Sequence, residues 1–363
     1  MCFCVTRGSA GGLASNPVMK TLKFFLSLGL MVILSNLSGR AEAQTNAPLD
    51  AFGLNQRLGR GVNILGYDPI WRSREQGRFK GEYFQKLKEA GFTSVRINLY
   101  PFQHMNATNN WTLRPAWLET LDWAVAEAQR QGLAVVLDMH EFHAFGSDPA
   151  GNKEKLLAFW GQIATHFKDA PASVYFEVLN EPFDKLTPEL WNEYFAEVLA
   201  VIRQTNPTRA VIVGPGHWNA ISHLEKLKLP EHDRNLIVTV HFYEPYEFTH
   251  QGAHWSNQKD KSGVEWSGTP EELAALNRVL DQAVAWGKAN QRPLFLGEFG
   301  AYDRAPMESR VRWTAAVTRA AEARGWSWAY WQFDSDFILY DVKRETWVTP
   351  IRDALIPKTP PAR

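Results

Sequence analysis

Short apolar runs alternate with amphipathic stretches along most of this chain. Apolar, β-rich runs occur at residues 61–65, 94–99, 134–139, 174–179, 210–213, 236–240, 294–296 and 327–330. Between them lie stretches with helical periodicity at 80–90, 116–130, 154–167, 188–203, 221–227, 269–288 and 307–323, and a last short one at 351–356. Several carry end signals. Gly91 and Gly132 follow helices, Thr187-Pro188 opens one, and Thr269-Pro-Glu-Glu opens another. The strand runs are nearly continuous in apolar residues, as parallel strands covered on both faces must be. Eight strands with interleaved helices predict a single (β/α)8 TIM barrel over residues 59–356. A doubly wound sheet is the alternative, but no glycine-rich phosphate loop follows the first strand. Residues 44–58 read as a linker and 357–363 as a frayed tail.

The N-terminus has a different pattern. Met19-Lys-Thr-Leu-Lys23 is basic, residues 24–34 are apolar over a length short for a membrane span, and Ala41-Glu-Ala43 supplies small residues. This predicts a signal peptide at 19–43 cleaved after Ala43, a secreted or periplasmic protein and no stable membrane anchor. Met19 reads as the start, with 1–18 an upstream extension. The two cysteines, Cys2 and Cys4, precede that leader, so the exported chain has no thiolate for a zinc site or a nucleophile. Formal net charge is zero over 363 residues, without the basic excess that draws a protein to nucleic acid. Aromatic residues make up 13% and include 15 Trp, which raises the prospect of a stacking ligand beside the usual core role.

In a barrel of this kind the chemistry sits beyond the carboxyl ends of the strands. The fourth apolar run ends in Asn180-Glu181-Pro182, where proline stops the ladder. The seventh leads into Gly297-Glu298-Phe-Gly300. Two glutamates so placed are what acid/base and nucleophilic glycosidic chemistry needs. Other polar residues reach the same end: Arg96 from the second strand, Asp138 and His140 from the third, His241 and Tyr243 from the sixth, and Trp331 from the eighth. His140-Glu-Phe-His143 lacks the helical His-Glu-x-x-His spacing. Neither a metal nor an organic cofactor is expected.

This ordered set, Arg96, His140, Asn180-Glu181-Pro182, His241 with Tyr243, Glu298 and Trp331, resembles glycoside hydrolase family 5, cellulase-like retaining β-glycosidases built on this barrel. The resemblance runs from Gly61 to about Trp331. It implies that Glu181 is the general acid/base, with a pKa raised by burial or a negative neighbour, and that Glu298 is the ionised nucleophile. Arg96 and Tyr243 would hold Glu298, although Arg96 can also be read as a buried partner of Asp138. Asn180 would bind the sugar 2-hydroxyl, and His140 and His241 would bind hydroxyls or tune Glu181. Trp331 would face the sugar at the cleavage point. Retention implies carboxyl groups about 5 Å apart. The long aromatic loop after the sixth strand reads as functional, and Trp111 and Trp255 as sugar platforms. The expected activity is that of a monomeric endo-β-1,4-glucanase acting on a β-linked polysaccharide or oligosaccharide. A β-mannanase or other β-glycanase, and a carbohydrate-binding barrel without catalysis, are the alternatives.

Overall fold

Eight parallel strands close on themselves: β1 (Arg60–Ile64), β2 (Ser94–Leu99), β3 (Ala134–Met139), β4 (Val174–Glu177), β5 (Val211–Val213), β6 (Leu236–Phe242), β7 (Leu294–Phe299) and β8 (Ser327–Tyr330). β1 pairs with both β2 and β8, which seals the cylinder. This computed structural model describes residues 50–358. The expected upstream extension and leader lie outside the described residues, as does most of the expected tail. Among the described residues no helix is long and apolar enough to cross a membrane.

The strands alternate their faces, as a two-residue period requires. One parity points outward and packs under the helices. Val95 and Ile97, Val135 and Leu137, and Val238 and Val240 belong to that outer core, with Trp117, Trp160, Trp191 and Trp313 from the helices above them. The other parity fills the cylinder. Ala134, Val136, Tyr175, Ala210, Ile212, Ile237, Phe295 and Ala329 form a separate apolar cluster at its amino end. Toward the carboxyl end the same parity turns polar: Asn63, Arg96, Asn98, Asp138, Glu177 and His241 are all buried. The sixth and seventh strands therefore extend past their apolar runs, because His241 and Glu298 still pair within the sheet.

The surrounding helices begin with α1 (Ala51–Leu58), followed by α2 (Glu82–Ala90), α3 (Pro115–Arg130), α4 (Pro149–His166), α5 (Pro188–Arg203), α6 (Pro270–Asn290), α7 (Met307–Ala323) and α8 (Thr349–Leu355). The capping reading holds at α6, where Thr269 and Glu272 cap each other's backbone amides. It also holds at α5, where Thr187 accepts from Leu190 N.

α1 corrects the linker reading over residues 51–58; residues 44–49 of that expected linker lie outside the described residues. Asp50 caps it by accepting from Gly53 N, and Ala51, Leu54 and Leu58 join the apolar cluster inside the cylinder. Tyr175 Oη donates to Leu54 O at 2.8 Å, and Asn55 Nδ2 donates to Leu294 O at 2.9 Å. The helix thus plugs the amino end of the barrel. Its apolar positions are spaced three and four apart, but two turns are too few for periodicity to stand out. Leu58→Ala is expected to cost about 2–5 kcal/mol in denaturant unfolding, as for a buried leucine. A loss under about 0.5 kcal/mol, typical of exposed sites, would return the segment to a linker.

Candidate active site

Arg96 organises the polar end of the cylinder. Its fork grips Glu177 through two bonds, Nε to Oε2 at 2.7 Å and Nη2 to Oε1 at 2.8 Å. Nη1 donates to Glu298 Oε1 at 2.8 Å and to Asn63 Oδ1 at 2.7 Å, and Nη2 also reaches Asn180 Oδ1 at 2.8 Å. Asp138 Oδ2 lies 3.2 Å from Nη2. Both readings of this arginine are therefore met: it holds Glu298, and it is a buried partner of Asp138. Glu177 and Asn63 complete its shell; the sequence reading sets Glu177 aside as the acid in favour of Glu181 and takes neither residue as part of the site. The signal was available, since Glu177 is a carboxylate two residues after Tyr175 on an inward parity.

Glu298 reaches this network through a bulge. Val240 pairs with Leu296, but His241 pairs with Glu298, so Gly297 is an extra residue in β7. The bulge rotates Glu298 into the mouth while Phe299 stays in the outer core. Glycine is required there, because a Cβ on Gly297 would lie 2.4 Å from Thr239 Oγ1 and 3.2 Å from His241 Nε2. Tyr243 Oη donates to Glu298 Oε2 at 3.0 Å. Burial and the charge of Glu298 hold the Tyr243 hydroxyl well above its ordinary pKa, so it stays a donor. Glu298 thus has a donor on each oxygen.

Glu181 sits differently. It is partly exposed at the mouth, has a left-handed backbone (φ 41°), and its Oε1 lies 2.7 Å from His241 Nδ1. Burial pushes its carboxyl up to about 7, against the pull of His140 and Arg96. Burial drives His241 down to about 4, so this imidazole is neutral at neutral pH. An oxygen of Glu181, an oxygen of Glu298 and a ring nitrogen of His241 all lie within 4.8 Å of one another. That trio has the size of a metal site, yet Arg96 and Tyr243 already occupy both Glu298 oxygens and a guanidinium stands beside them. One oxygen of each carboxyl thus lies within 4.8 Å of the other, below the roughly 6.5–9.5 Å between carboxyl groups that inversion needs.

His140 Nδ1 meets Asp138 Oδ2 at 2.5 Å, and Asn180 Nδ2 approaches its Nε2 at 3.3 Å. Its ring stacks on Trp331, with centroids 5.4 Å apart and planes 10° apart. Trp331 is itself mostly buried, and the exposed Tyr67 stands edge-on to it. Trp255 is exposed and joins the site through a chain of rings, Tyr302, Phe337 and Tyr243. Trp111 is placed otherwise: it is half-buried against the outer core, with the Lys155 ammonium 5.0 Å over its ring. One face of the ring is therefore covered by the Lys155 side chain. Trp218, stacked on Phe183 at 5.0 Å, and Tyr67 are further exposed rings, which the sequence reading does not take as platforms. Neither lies in an aromatic run that would flag it. The loop after β6 has internal order, for Gln251 clamps Val264 by accepting from its N and donating to its O.

The profile described as Cellulase (glycosyl hydrolase family 5) matches residues 55–336. The chain belongs to glycosyl hydrolase family 5. This family 5 chain is 32% identical over 318 residues to endoglucanase H of Acetivibrio thermocellus, covering 85% of this chain and 34% of that one. It is 26% identical to endoglucanase 3 of Fibrobacter succinogenes, covering 82% of this chain and 52% of that one. It thus spans only a third to a half of the length of these curated relatives. Among solved structures, endoglucanase Cel5A of Thermotoga maritima is 42% identical with a TM-score of 0.81, covering 85% of this chain and 100% of that one. That protein has been solved with cellobiose and with mannotriose.

The raised carboxyl of Glu181 sets a pH limit for this family 5 chain. Glu181 carries its proton below about pH 7 and loses it above. kcat/KM is therefore expected to fall as pH rises through about 7, with Glu181→Gln removing that limb. A limb near the ordinary glutamate pKa of about 4.3 would contradict the burial argument.

Proposed function

We propose that this chain is an exported endo-β-1,4-glucanase that cuts by double displacement. Glu298 attacks the anomeric carbon while Glu181 protonates the departing glycosidic oxygen; Glu181 then takes a proton from the water that releases the sugar. The observation that carries the reading is the pair itself: two carboxyls within 4.8 Å, one held by Arg96 and Tyr243 and the other raised by burial. The first arrangement favours a bare nucleophile and the second a protonated acid. Asn180, His140 and Trp331 border the same space and supply hydrogen bonds and a ring edge for the sugar. The rings of Tyr67, Trp255 and Trp218 extend the contact surface on either side.

In this reading a leader spanning 19–43 exports the protein to the periplasm or the medium, where it acts as a monomer. The kinship with endoglucanases supports β-1,4-glucan as substrate. A second reading, activity on β-mannan, is favoured by the mannotriose complex of the Thermotoga maritima relative.

Reducing-sugar release from carboxymethylcellulose, mixed-linkage β-glucan, xyloglucan and mannan tests the assignment. Release is expected to be fastest on the glucans, with retained anomeric configuration. Glu298→Ala should lower it by roughly four orders of magnitude or more, as losing a group that acts as part of a unit does. Release from mannan alone would shift the substrate; no release from any glycan would favour a binding protein.

A further inference from the structure

The turn after β5 is strained and aimed at the acid. His217, Trp218 and Asn219 are three successive residues in the left-handed region, with φ of 61°, 60° and 54°. Such positions are costly for residues with a Cβ and persist only where surroundings fix them. Trp218 N donates to Pro182 O at 3.2 Å, in the loop that carries Glu181. Ala220 forms a parallel bridge with His241. Asn219 is fully buried between these anchors, and its Nδ2 lies 3.2 Å from His241 Nε2. Space is kept for it, because a Cβ on Gly214 would collide with Asn219 Oδ1 at 2.1 Å.

We propose that Asn219 is a positioning residue: by donating to His241 Nε2 it keeps the imidazole proton on Nδ1, and so directs the acidic proton of Glu181 to Oε2. The inference rests on the reading of Glu181 as the acid/base. A neutral imidazole has one N–H and one lone pair. If Nε2 accepts from Asn219, Nδ1–H must donate to Glu181 Oε1. That bond survives in both protonation states of Glu181, which the catalytic cycle visits in turn. The opposite tautomer would set a lone pair against the ionised carboxylate at 2.7 Å. With Oε1 already receiving a hydrogen, the carboxyl proton resides on Oε2. It passes from there to the glycosidic oxygen as the C–O bond breaks and Glu298 bonds to the anomeric carbon, and the leaving sugar departs as the alcohol.

The same pattern stands across the mouth. His140 has Asn180 Nδ2 at Nε2 and Asp138 at Nδ1, and there Arg96 pins the Asn180 oxygen and so fixes the amide's orientation. The charged and titratable groups around the His241–Glu181 pair are Arg96 on β2, Asp138 and His140 at the end of β3, Glu298 on β7 and Tyr243 after β6. Among the described residues, the side chain bonded to Nε2 is that of Asn219.

Nitrogen-15 NMR of histidine-labelled enzyme gives the tautomer, and Asn219→Asp changes it while keeping size and tolerance of the left-handed turn. In the wild type His241 is expected to carry its proton on Nδ1; in Asn219→Asp, on Nε2. The variant should lose roughly ten- to a hundredfold in kcat/KM on cello-oligosaccharides, part of the ~10²–10⁴ that general acid catalysis supplies. Glycosylation from a dinitrophenyl cellobioside, whose leaving group needs no proton, should change only a few-fold. A wild-type proton on Nε2 would overturn the proposal whether or not the variant folds. So would an Asn219→Asp loss equal for both substrates. Glu181→Gln, run in parallel, separates the two levels. If it shows the leaving-group dependence and Asn219→Asp does not, only the tautomer proposal fails. If Glu181→Gln shows none, the acid/base assignment fails and takes the proposal with it.

Discussion

A fully buried guanidinium holds the carboxyl end of this barrel together. Arg96 touches side chains from β1, β4 and β7, the Asn180 side chain just past β4, and lies 3.2 Å from Asp138 on β3. A charge so placed is tolerable only because carboxylates and amide oxygens surround it; removing one partner of such a pair typically costs 3–5 kcal/mol. The constraint runs both ways. Arg96 needs acidic residues inside the cylinder, and those residues need Arg96 to stay ionised. One of them, Glu298, opens onto the mouth, so the interaction that completes the upper core also holds the residue proposed as nucleophile.

The second carboxyl owes its character to the absence of that grip. Glu181 lies beyond the strand, bonded to a neutral histidine instead of a cation, and burial raises it. Two glutamates within one small volume therefore differ: Glu298 has Arg96 and Tyr243 as donors on its oxygens, while burial raises Glu181. The difference comes from their neighbours, not from their chemistry. Beneath this polar layer lies the apolar cluster closed from below by α1.

Most of the barrel was legible because its signals are local and repeated. Apolar runs at 94–99, 134–139 and 327–330 became strands with the same limits, and the caps at Thr187 and Thr269 formed as read. Proline after Asn180-Glu181 marked one carboxyl at a strand end. Features set by tertiary contacts were less visible. The bulge at Gly297 depends on the neighbouring strand, the role of α1 on the hole it fills, and the covering of Trp111 on a lysine far along the chain. Asn219 could not be singled out, because its partner at position 241 lies across a crossover and its backbone conformation carries no sequence signature. The residues around Arg96 fall between these cases. Arg96 was evident as a charge in an apolar strand, but only the closed sheet brings Asn63, Glu177 and Glu298 to it.

The central claim is that Glu298, held bare by Arg96, forms a covalent bond to the sugar. Incubation with a 2-deoxy-2-fluoro cellobiosyl fluoride, followed by proteolysis and mass spectrometry, measures this directly, since the fluorine slows release of the intermediate more than its formation. One fluoroglycosyl unit on the peptide containing Glu298 is the expected result, with Arg96→Met slowing its accumulation. Label on Glu181 or Glu177, or turnover with inverted configuration and no label at all, would contradict the account.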